Sequence, residues 1–356
     1  MANRTALVMT GGTGGHIFPA LAVADALKAQ GWTVVFLGAE GGMETRLVPQ
    51  HGYPLETLAI RGVRGNGVAR WLALPWVMLR ALLGAAVVIF RHRPDVSIGF
   101  GGYTGFPGGL MTRLLWKPLV IHEQNSVAGL TNRLLSRIAT RTLFAFPSAF
   151  RQASGLVGNP VRAALTTLPA PAERFAGRQG VLRLLVVGGS LGAQVLNETV
   201  PAALALLPAA QRPVVIHQAG AKSLDALQTR YAEAGVKADC RAFIDDMAAE
   251  YAAADMVICR AGALTIAELA AVGVGSVLVP YPHAVDDHQT GNARYLSDAG
   301  AAKLWPQTSL NAADLAAYLA TLTRADCLAM AEAAHRQALT GAAEKVAAVC
   351  VAVVGE

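Results

Sequence analysis

Apolar residues recur along the chain in two registers, short continuous runs and longer stretches at helical spacing, and most changes from the first to the second pass through a glycine or polar cluster. The N-terminal stretch sets the pattern. Ala6 to Thr10 are apolar or small, Gly11-Gly12-Thr13-Gly14-Gly15-His16 follow, and Ala20, Leu21, Val23, Ala24 and Leu27 then share one helical face before Gly31. This order predicts strand, glycine loop and helix. Glycine lets the backbone turn with positive φ and approach a ligand closely, while the free N–H groups at a helix start attract an anion. A phosphate is the default ligand of such a loop.

The same unit repeats. Further strands are predicted at 33–37, 94–98, 119–122 and 141–144, with a basic loop at 61–67, a long apolar helix at 71–90 and a second glycine loop at 99–109. The pattern breaks around Gly158-Asn159-Pro160, and 168–180 reads as a linker. It restarts with a strand at 182–187, a third glycine loop at 188–193 and a helix at 194–207, then strands at 214–217, 241–243, 256–259 and 276–279. The expected fold is α/β, two doubly wound parallel sheets of the Rossmann-like kind facing a cleft, with ligands at the carboxyl ends of the strands. The expected domains are 1–160 and 161–338, with a last helix, within 339–356, returning to the first.

Composition narrows the class. A chain of 356 residues suits two domains, and 53% hydrophobic against 15% charged residues excludes a disordered chain. No signal-peptide pattern precedes the first strand, and Cys240, Cys259, Cys327 and Cys350 show no metal-ligand or disulfide spacing, so a reduced cytoplasmic setting is expected. Charge is uneven. Residues 1–172 carry 16 Lys and Arg against 6 Asp and Glu, whereas residues 173–356 carry 14 against 18. The basic half calls for an acidic partner, and charge alone leaves nucleic acid and an anionic membrane both open.

The apolar helix bears on that choice. Its length would span a bilayer, but a span would put the glycine loops at 11–15 and 101–109 on opposite sides of it. At about 100° per residue Arg70, Arg80 and Arg91 fall on one side, beside a wedge of Trp71, Leu72, Pro75, Trp76 and Leu79. An interfacial contact with a membrane surface through Trp71, Trp76, Leu79 and Arg80 fits that arrangement, and an ordinary core helix is the competing reading.

The glycine loops do not match the common nucleotide signatures. Gly11 to Gly15 lacks GxGxxG spacing, because Ile17 stands where a third glycine would be, although Glu40 lies where a ribose ligand could; no GxxxxGK[ST] occurs. Asp245-Asp246 and Asp286-Asp287 lack DxD spacing and read as solvated carboxylates at helix starts.

Eight segments together are more specific: GGTGGHIFPALAVA (11–24), GGYTGFPGG (101–109), HEQNSVAGLTNRLLS (122–136), GNPVR (158–162), GGSLGA (188–193), FIDDM (243–247), RAGALTIAEL (260–269) and PYPHAVDDHQTGNA (280–293). In order and over nearly the whole chain they resemble the MurG family of UDP-N-acetylglucosamine transferases, which complete lipid II from lipid I in peptidoglycan synthesis. The resemblance implies a GT-B fold, inversion at the sugar and no required metal or other cofactor. It also implies UDP-GlcNAc in the second domain, the undecaprenyl-diphosphate-linked acceptor at the first, no nucleic acid, and a peripheral place on the cytoplasmic face of the inner membrane.

Site residues carry over one by one. Glu268 matches the glutamate that holds the uridine ribose, a carboxylate being able to accept from both hydroxyls of a diol; Thr265-Ile-Ala-Glu268 also fits a capping box at a helix start. Ser190 and the third glycine loop match the diphosphate contacts, with Arg162 beside them, whose plain reading is a solvated charge. Ile244 is to offer its backbone to uracil, and Ala263, Leu264, Thr265, Ile266 and Ala267 are to wrap the nucleotide up to Glu268. Asn125 and Gln289 match sugar contacts, and Thr13, Gly14 and Gly15 reach the donor from the other wall. One departure is His288, where some relatives have a second glutamine. Gly14, Gly15, Gly101, Gly102 and Tyr103 are expected at the acceptor diphosphate.

Inverting transfer needs a base for the attacking hydroxyl and something to stabilise departing UDP. His16 is the first candidate, because an imidazole can accept a proton near neutral pH, and Glu123 is the second. Two other readings share part of the pattern: a UDP-GlcNAc 2-epimerase, against which the basic apolar segment 61–93 speaks, and a non-catalytic nucleotide-sugar-binding protein.

Overall fold

A computed structural model describes residues 4–60, 68–150, 154–189 and 192–355, with only the backbone of residues 68–73. Two sheets of six parallel strands organise them. The first contains β1 (Thr5–Met9), β2 (Thr33–Ala39), β3 (Leu55–Leu58), β4 (Val96–Gly99), β5 (Leu119–Glu123) and β6 (Arg141–Phe144), in the order β3-β2-β1-β4-β5-β6. The second contains β7 (Arg183–Val187), β8 (Val214–Gln218), β9 (Asp239–Arg241), β10 (Met256–Cys259), β11 (Gly275–Leu278) and β12 (Ala302–Leu304), in the order β12-β11-β10-β7-β8-β9. The two orders are the same. Each sheet grows one way from its first strand and then the other way, so β1/β4 and β7/β10 are the switch points, beyond whose carboxyl ends ligands bind.

Central strands are continuous apolar runs because both faces are covered, as in β1, where Ala6, Leu7, Val8 and Met9 are fully buried. Edge strands follow no such run. β3 and β12 are absent from the sequence expectation for that reason, and β9 lies two residues before its expected place. Its position is set by the ladder to β8, where Ile216 pairs with Asp239 and Gln218 with Arg241.

The chain divides into two compact units, residues 1–161 with 341–356, and residues 162–340. In the first, the helix Gly14–Ala29 buries Ile17, Ala20, Val23, Ala24 and Leu27. The helix Ala342–Ala352 adds Ala343, Val346, Ala347 and Cys350 to that same core. Burying a valine such as Val346 contributes about 1.5–3 kcal/mol, and together with Ala343, Ala347 and Cys350 it docks this terminal helix on partners far away in sequence.

The segment expected as a linker is built into the second unit. Pro171–Phe175 is helical and Phe175 is buried. Arg178 donates to the carbonyls of Ala252, Ala253 and Ala254 and to Asp255 at 2.6 Å, while Arg174 caps the carbonyls of Val272 and Gly273. Proline and glycine content suggested a loose connection, but the guanidinium bonds tie it down.

Candidate functional site

In the first unit the loops after β1, β4 and β5 converge at the switch point. Gly102 lies so close to the first loop that a Cβ there would stand 2.6 Å from the Gly11 carbonyl oxygen, and Thr104 Oγ1 donates to the Thr10 carbonyl at 3.1 Å. Gly101, at φ +86°, packs against the His16 ring, 3.5 Å from its Cε1 to the position a Cβ would take. A Cβ at position 102 would collide with the first loop, and the positive φ at position 101 favours glycine. Glu44, fully buried and not foreseen from sequence, braces the first loop: it accepts from the Ala39 N–H at 2.9 Å and the Gly12 N–H at 3.4 Å.

His16 lies in the first turn of the helix Gly14–Ala29 and is half-buried. Its Nδ1 is 2.7 Å from Gln124 Oε1. Gln124 Nε2 in turn donates to the His122 carbonyl at 2.9 Å and lies 3.0 Å from His122 Nδ1. The His122 Nε2 donates to the Gly158 carbonyl at 2.9 Å, and burial pushes this imidazole down to about 4, so it is neutral at pH 7. Thr13 and Gly15 are exposed and Gly14 half-buried beside His16, and Tyr103 is 51% exposed at the second loop.

Glu123 does not share this network. Its carboxylate is 2% exposed and accepts from the Asn125 N–H at 2.9 Å, Asn125 Nδ2 at 3.3 Å, the Gly129 N–H at 3.1 Å and Asn132 Nδ2 at 2.9 Å. Four donors from one loop and the following helix occupy both oxygens. Glu123 thereby organises the loop, and both oxygens through which it was expected to act as a base are engaged. It also orients Asn125, which is half-buried.

In the second unit the helix Ala263–Val272 starts directly after β10, and the helix Gln194–Ala205 follows the third glycine loop after β7. Two helix N-termini thus flank one switch point, an arrangement that favours an anion. Gly262 caps the helix Ala263–Val272, and Glu268 lies in its interior. The capping-box reading of Thr265 and Glu268 is thereby overturned, because the helix begins two residues before Thr265. Instead Glu268, 7% exposed, accepts from Arg162 Nη2 at 3.0 Å and from the Tyr251 hydroxyl at 3.4 Å. Burial raises its pKa and the Arg162 guanidinium opposes that rise. Arg162 itself is half-exposed, so a fork of five N–H donors keeps some for another anion. It is paired rather than solvated.

The other expected donor contacts divide. Leu264, Thr265 and Ala267 are half-exposed, whereas Ala263, Ile244 and Ile266 are buried and leave only backbone to offer. For Ile266 the N–H is taken, by the Gly262 carbonyl at 3.0 Å. Gln289 Oε1 accepts from the Tyr281 N–H at 2.9 Å, and His288 Nδ1 donates to the Val285 carbonyl at 2.7 Å. Ser190 lies outside the described residues. Among those described, no cluster of three His, Cys, Asp or Glu could hold a metal ion.

The apolar helix runs Val68–His92. Ala81, Ala85, Val88 and Ile89 are buried in the first unit, while Trp76, Leu79, Leu83, Val87 and Phe90 form an exposed stripe. Arg80 borders the stripe and is exposed, and Arg91 is paired with Glu56 at 3.0 Å. Leu114, at the end of the helix Gly105–Leu114, and the 90% exposed Trp116 just beyond it are further exposed apolar residues of this unit. The side chains of Trp71 and Arg70 lie outside the described residues, as does the basic loop 61–67.

Gln124, His122, Asn132 and Tyr251 went unassigned from sequence. The first three sit inside the segment 122–136 that carried the resemblance, so the motif held the signal; Tyr251 reads only as a core aromatic.

Residues 6–144 match the Glycosyltransferase family 28 N-terminal domain and residues 183–347 the Glycosyltransferase family 28 C-terminal domain. The chain is 58% identical, over 99% of each protein, to the UDP-N-acetylglucosamine--N-acetylmuramyl-(pentapeptide) pyrophosphoryl-undecaprenol N-acetylglucosamine transferase of Neisseria meningitidis serogroup C / serotype 2a. It is 59% identical to the protein of that name from Ralstonia nicotianae, over 98% of this chain and 96% of that one. The crystal structure of Acinetobacter baumannii MurG superposes with a TM-score of 0.88 at 41% identity, covering 98% of this chain and 99% of that one. The calicheamicin glycosyltransferase CalG4 shares the fold, with a TM-score of 0.70 at 17% identity, over 100% of this chain and 99% of that one.

Proposed function

The chain belongs to glycosyltransferase family 28, and on that premise we infer that it moves N-acetylglucosamine from UDP-GlcNAc to the 4-hydroxyl of N-acetylmuramic acid in lipid I, forming lipid II. It is a hexosyltransferase of the GT-B fold, two doubly wound Rossmann-like domains. The observation that carries the reading is the full-length likeness to the Neisseria and Ralstonia transferases, joined to a switch-point site in each unit.

The division of labour follows from the chemistry of each site. We assign the donor nucleotide to the second unit, with Glu268 accepting from the ribose hydroxyls, the Ile244 backbone facing uracil, and Arg162, Ser190 and the helix N-termini meeting the diphosphate. Asn125, Gln289, Thr13, Gly14 and Gly15 are assigned to the sugar, and Gly14, Gly15, Gly101, Gly102 and Tyr103 to the acceptor diphosphate. His16 Nε2 takes the proton of the acceptor hydroxyl as its oxygen bonds to the anomeric carbon and the bond from that carbon to the diphosphate oxygen breaks. The electron pair leaves with UDP, whose charge Arg162 and the backbone N–H groups offset, and attack from the opposite face inverts the sugar.

The finer localisation is the cytoplasmic face of the inner membrane, reached through the exposed stripe on Val68–His92. An apolar stripe bordered by Arg80 on a unit with excess positive charge suits an anionic surface. Incubation with radiolabelled UDP-GlcNAc and a lipid I analogue tests the function directly. Label transferred to the lipid with release of UDP is the expected result; binding of UDP-GlcNAc without transfer would leave only a nucleotide-sugar-binding protein.

A further inference from the structure

The bonds around His16 have a direction that two backbone carbonyls determine. A carbonyl can only accept, so His122 Nε2, 2.9 Å from the Gly158 oxygen, must carry a hydrogen. In a neutral imidazole the other nitrogen, Nδ1, is then an acceptor. The Gln124 amide faces that Nδ1 at 3.0 Å and the His122 carbonyl at 2.9 Å, two acceptors, so its NH2 end points there and its oxygen points the other way. That oxygen lies 2.7 Å from His16 Nδ1. Since an amide oxygen cannot donate, the hydrogen of that bond belongs to Nδ1, and Nε2 of neutral His16 is left as the lone-pair nitrogen. Among the described residues His16 Nε2 makes no hydrogen bond.

We propose that Gln124, oriented by His122 and the Gly158 carbonyl, is a positioning residue that holds His16 in the Nδ1–H tautomer and so presents Nε2 as the proton acceptor. This rests on the reading of His16 as the base. An isolated histidine side chain prefers the opposite tautomer, with hydrogen on Nε2, in which the nitrogen offered to a substrate has no lone pair to give. A carboxylate holds the base histidine of serine proteases in the same way, and replacing it by an amide that leaves the wrong tautomer costs about 10⁴ in kcat. Here a neutral amide does the holding, and its own orientation is secured because Gln124 is 1% exposed and its backbone carbonyl accepts from Asn159 Nδ2 at 3.0 Å. Burial keeps His122 neutral, so the direction of the bonds does not reverse at physiological pH. The segment 158–159 thus serves the base through two side chains.

Nitrogen NMR on the full chain labelled with ¹⁵N-histidine, at mildly alkaline pH, reads the tautomer without any assay of transfer. The His16 signals are identified by their loss in His16→Ala. The expected pattern in the wild type is a protonated, pyrrole-type Nδ1 and an unprotonated, pyridine-type Nε2; the reverse pattern overturns the proposal even if His16 is the base. In Gln124→Met, which keeps the volume and removes both bond ends, His16 is expected to move toward the Nε2–H tautomer. There kcat should fall about tenfold or more while KM for UDP-GlcNAc stays within about twofold. An unchanged His16 pattern in that variant also overturns the proposal. A changed pattern with unchanged kcat supports the tautomer assignment and removes His16 from the base role. Should Gln124→Met fail to fold, the wild-type spectrum alone decides.

Discussion

The two units share one strand order and put their sites at the same place on it, yet the chemistry they assemble there has nothing in common. At the β1/β4 switch point polar side chains are joined by neutral hydrogen bonds, from Gly158 through His122 and Gln124 to His16. In the second unit a buried carboxylate and a half-exposed guanidinium meet beside the helix that follows β10. The first arrangement suits moving a proton, since a neutral relay lets an imidazole gain and lose charge without an opposing ion. The second suits holding a polar anion, since a guanidinium with N–H donors to spare lies beside a carboxylate that can accept from hydroxyls. Topology supplies the position of a site and the loops supply its function.

The sharpest way to break the comparison is at His16. His16→Ala is expected to lower kcat by about 10²–10⁴-fold with UDP-GlcNAc affinity nearly unchanged. Calorimetric titration beside steady-state rates checks this, and a large loss of donor affinity at normal kcat would return His16 to a binding role.

Acid stability probes what the two units have in common. Buried His122 and His217 are held neutral, titrating near 4 and near 3 instead of 6.5. Below pH 6.5 the unfolded chain binds protons that the folded chain refuses, so stability falls as pH falls toward those values, on the order of 3 kcal/mol per group. Denaturant unfolding from pH 8 to pH 4.5 should show that loss and His217→Phe should remove about half of it; equal slopes for both proteins would contradict the assignment.

In the second unit Glu268→Ala is expected to weaken UDP binding about ten- to hundredfold, the loss of hydrogen bonds to a charged acceptor being worth roughly 1.5–3 kcal/mol. Unaltered affinity by calorimetry would remove Glu268 from the ribose. The smallest effect is expected at the membrane stripe. Replacing Trp76 and Leu79 with glutamate should reduce sedimentation with anionic vesicles by about tenfold, because both side chains are exposed and neither supports the core. If the wild type ignores such vesicles, the surface has another purpose.

Alternation of apolar runs with glycine clusters was enough to read the two parallel sheets, because buried strands and amphipathic helices impose their periods on nearby residues. The glycine loops after β1, β4 and β7 were readable for the same reason, and the segment 122–136 announced a site. Which of its residues would act was not readable. Glu123 is the residue type a base requires, and only the fold surrounds it with four donors, while Gln124, an unremarked neighbour, faces His16 across 108 residues of chain. Arg162 and Glu268 meet across 106 residues, turning an apparent surface charge and an apparent helix cap into one ion pair. Period is a local property, so the sequence by itself determined the elements and the loops between them. The direction of a hydrogen bond depends on which carbonyl stands opposite which nitrogen, and that is decided only when distant strands lie side by side.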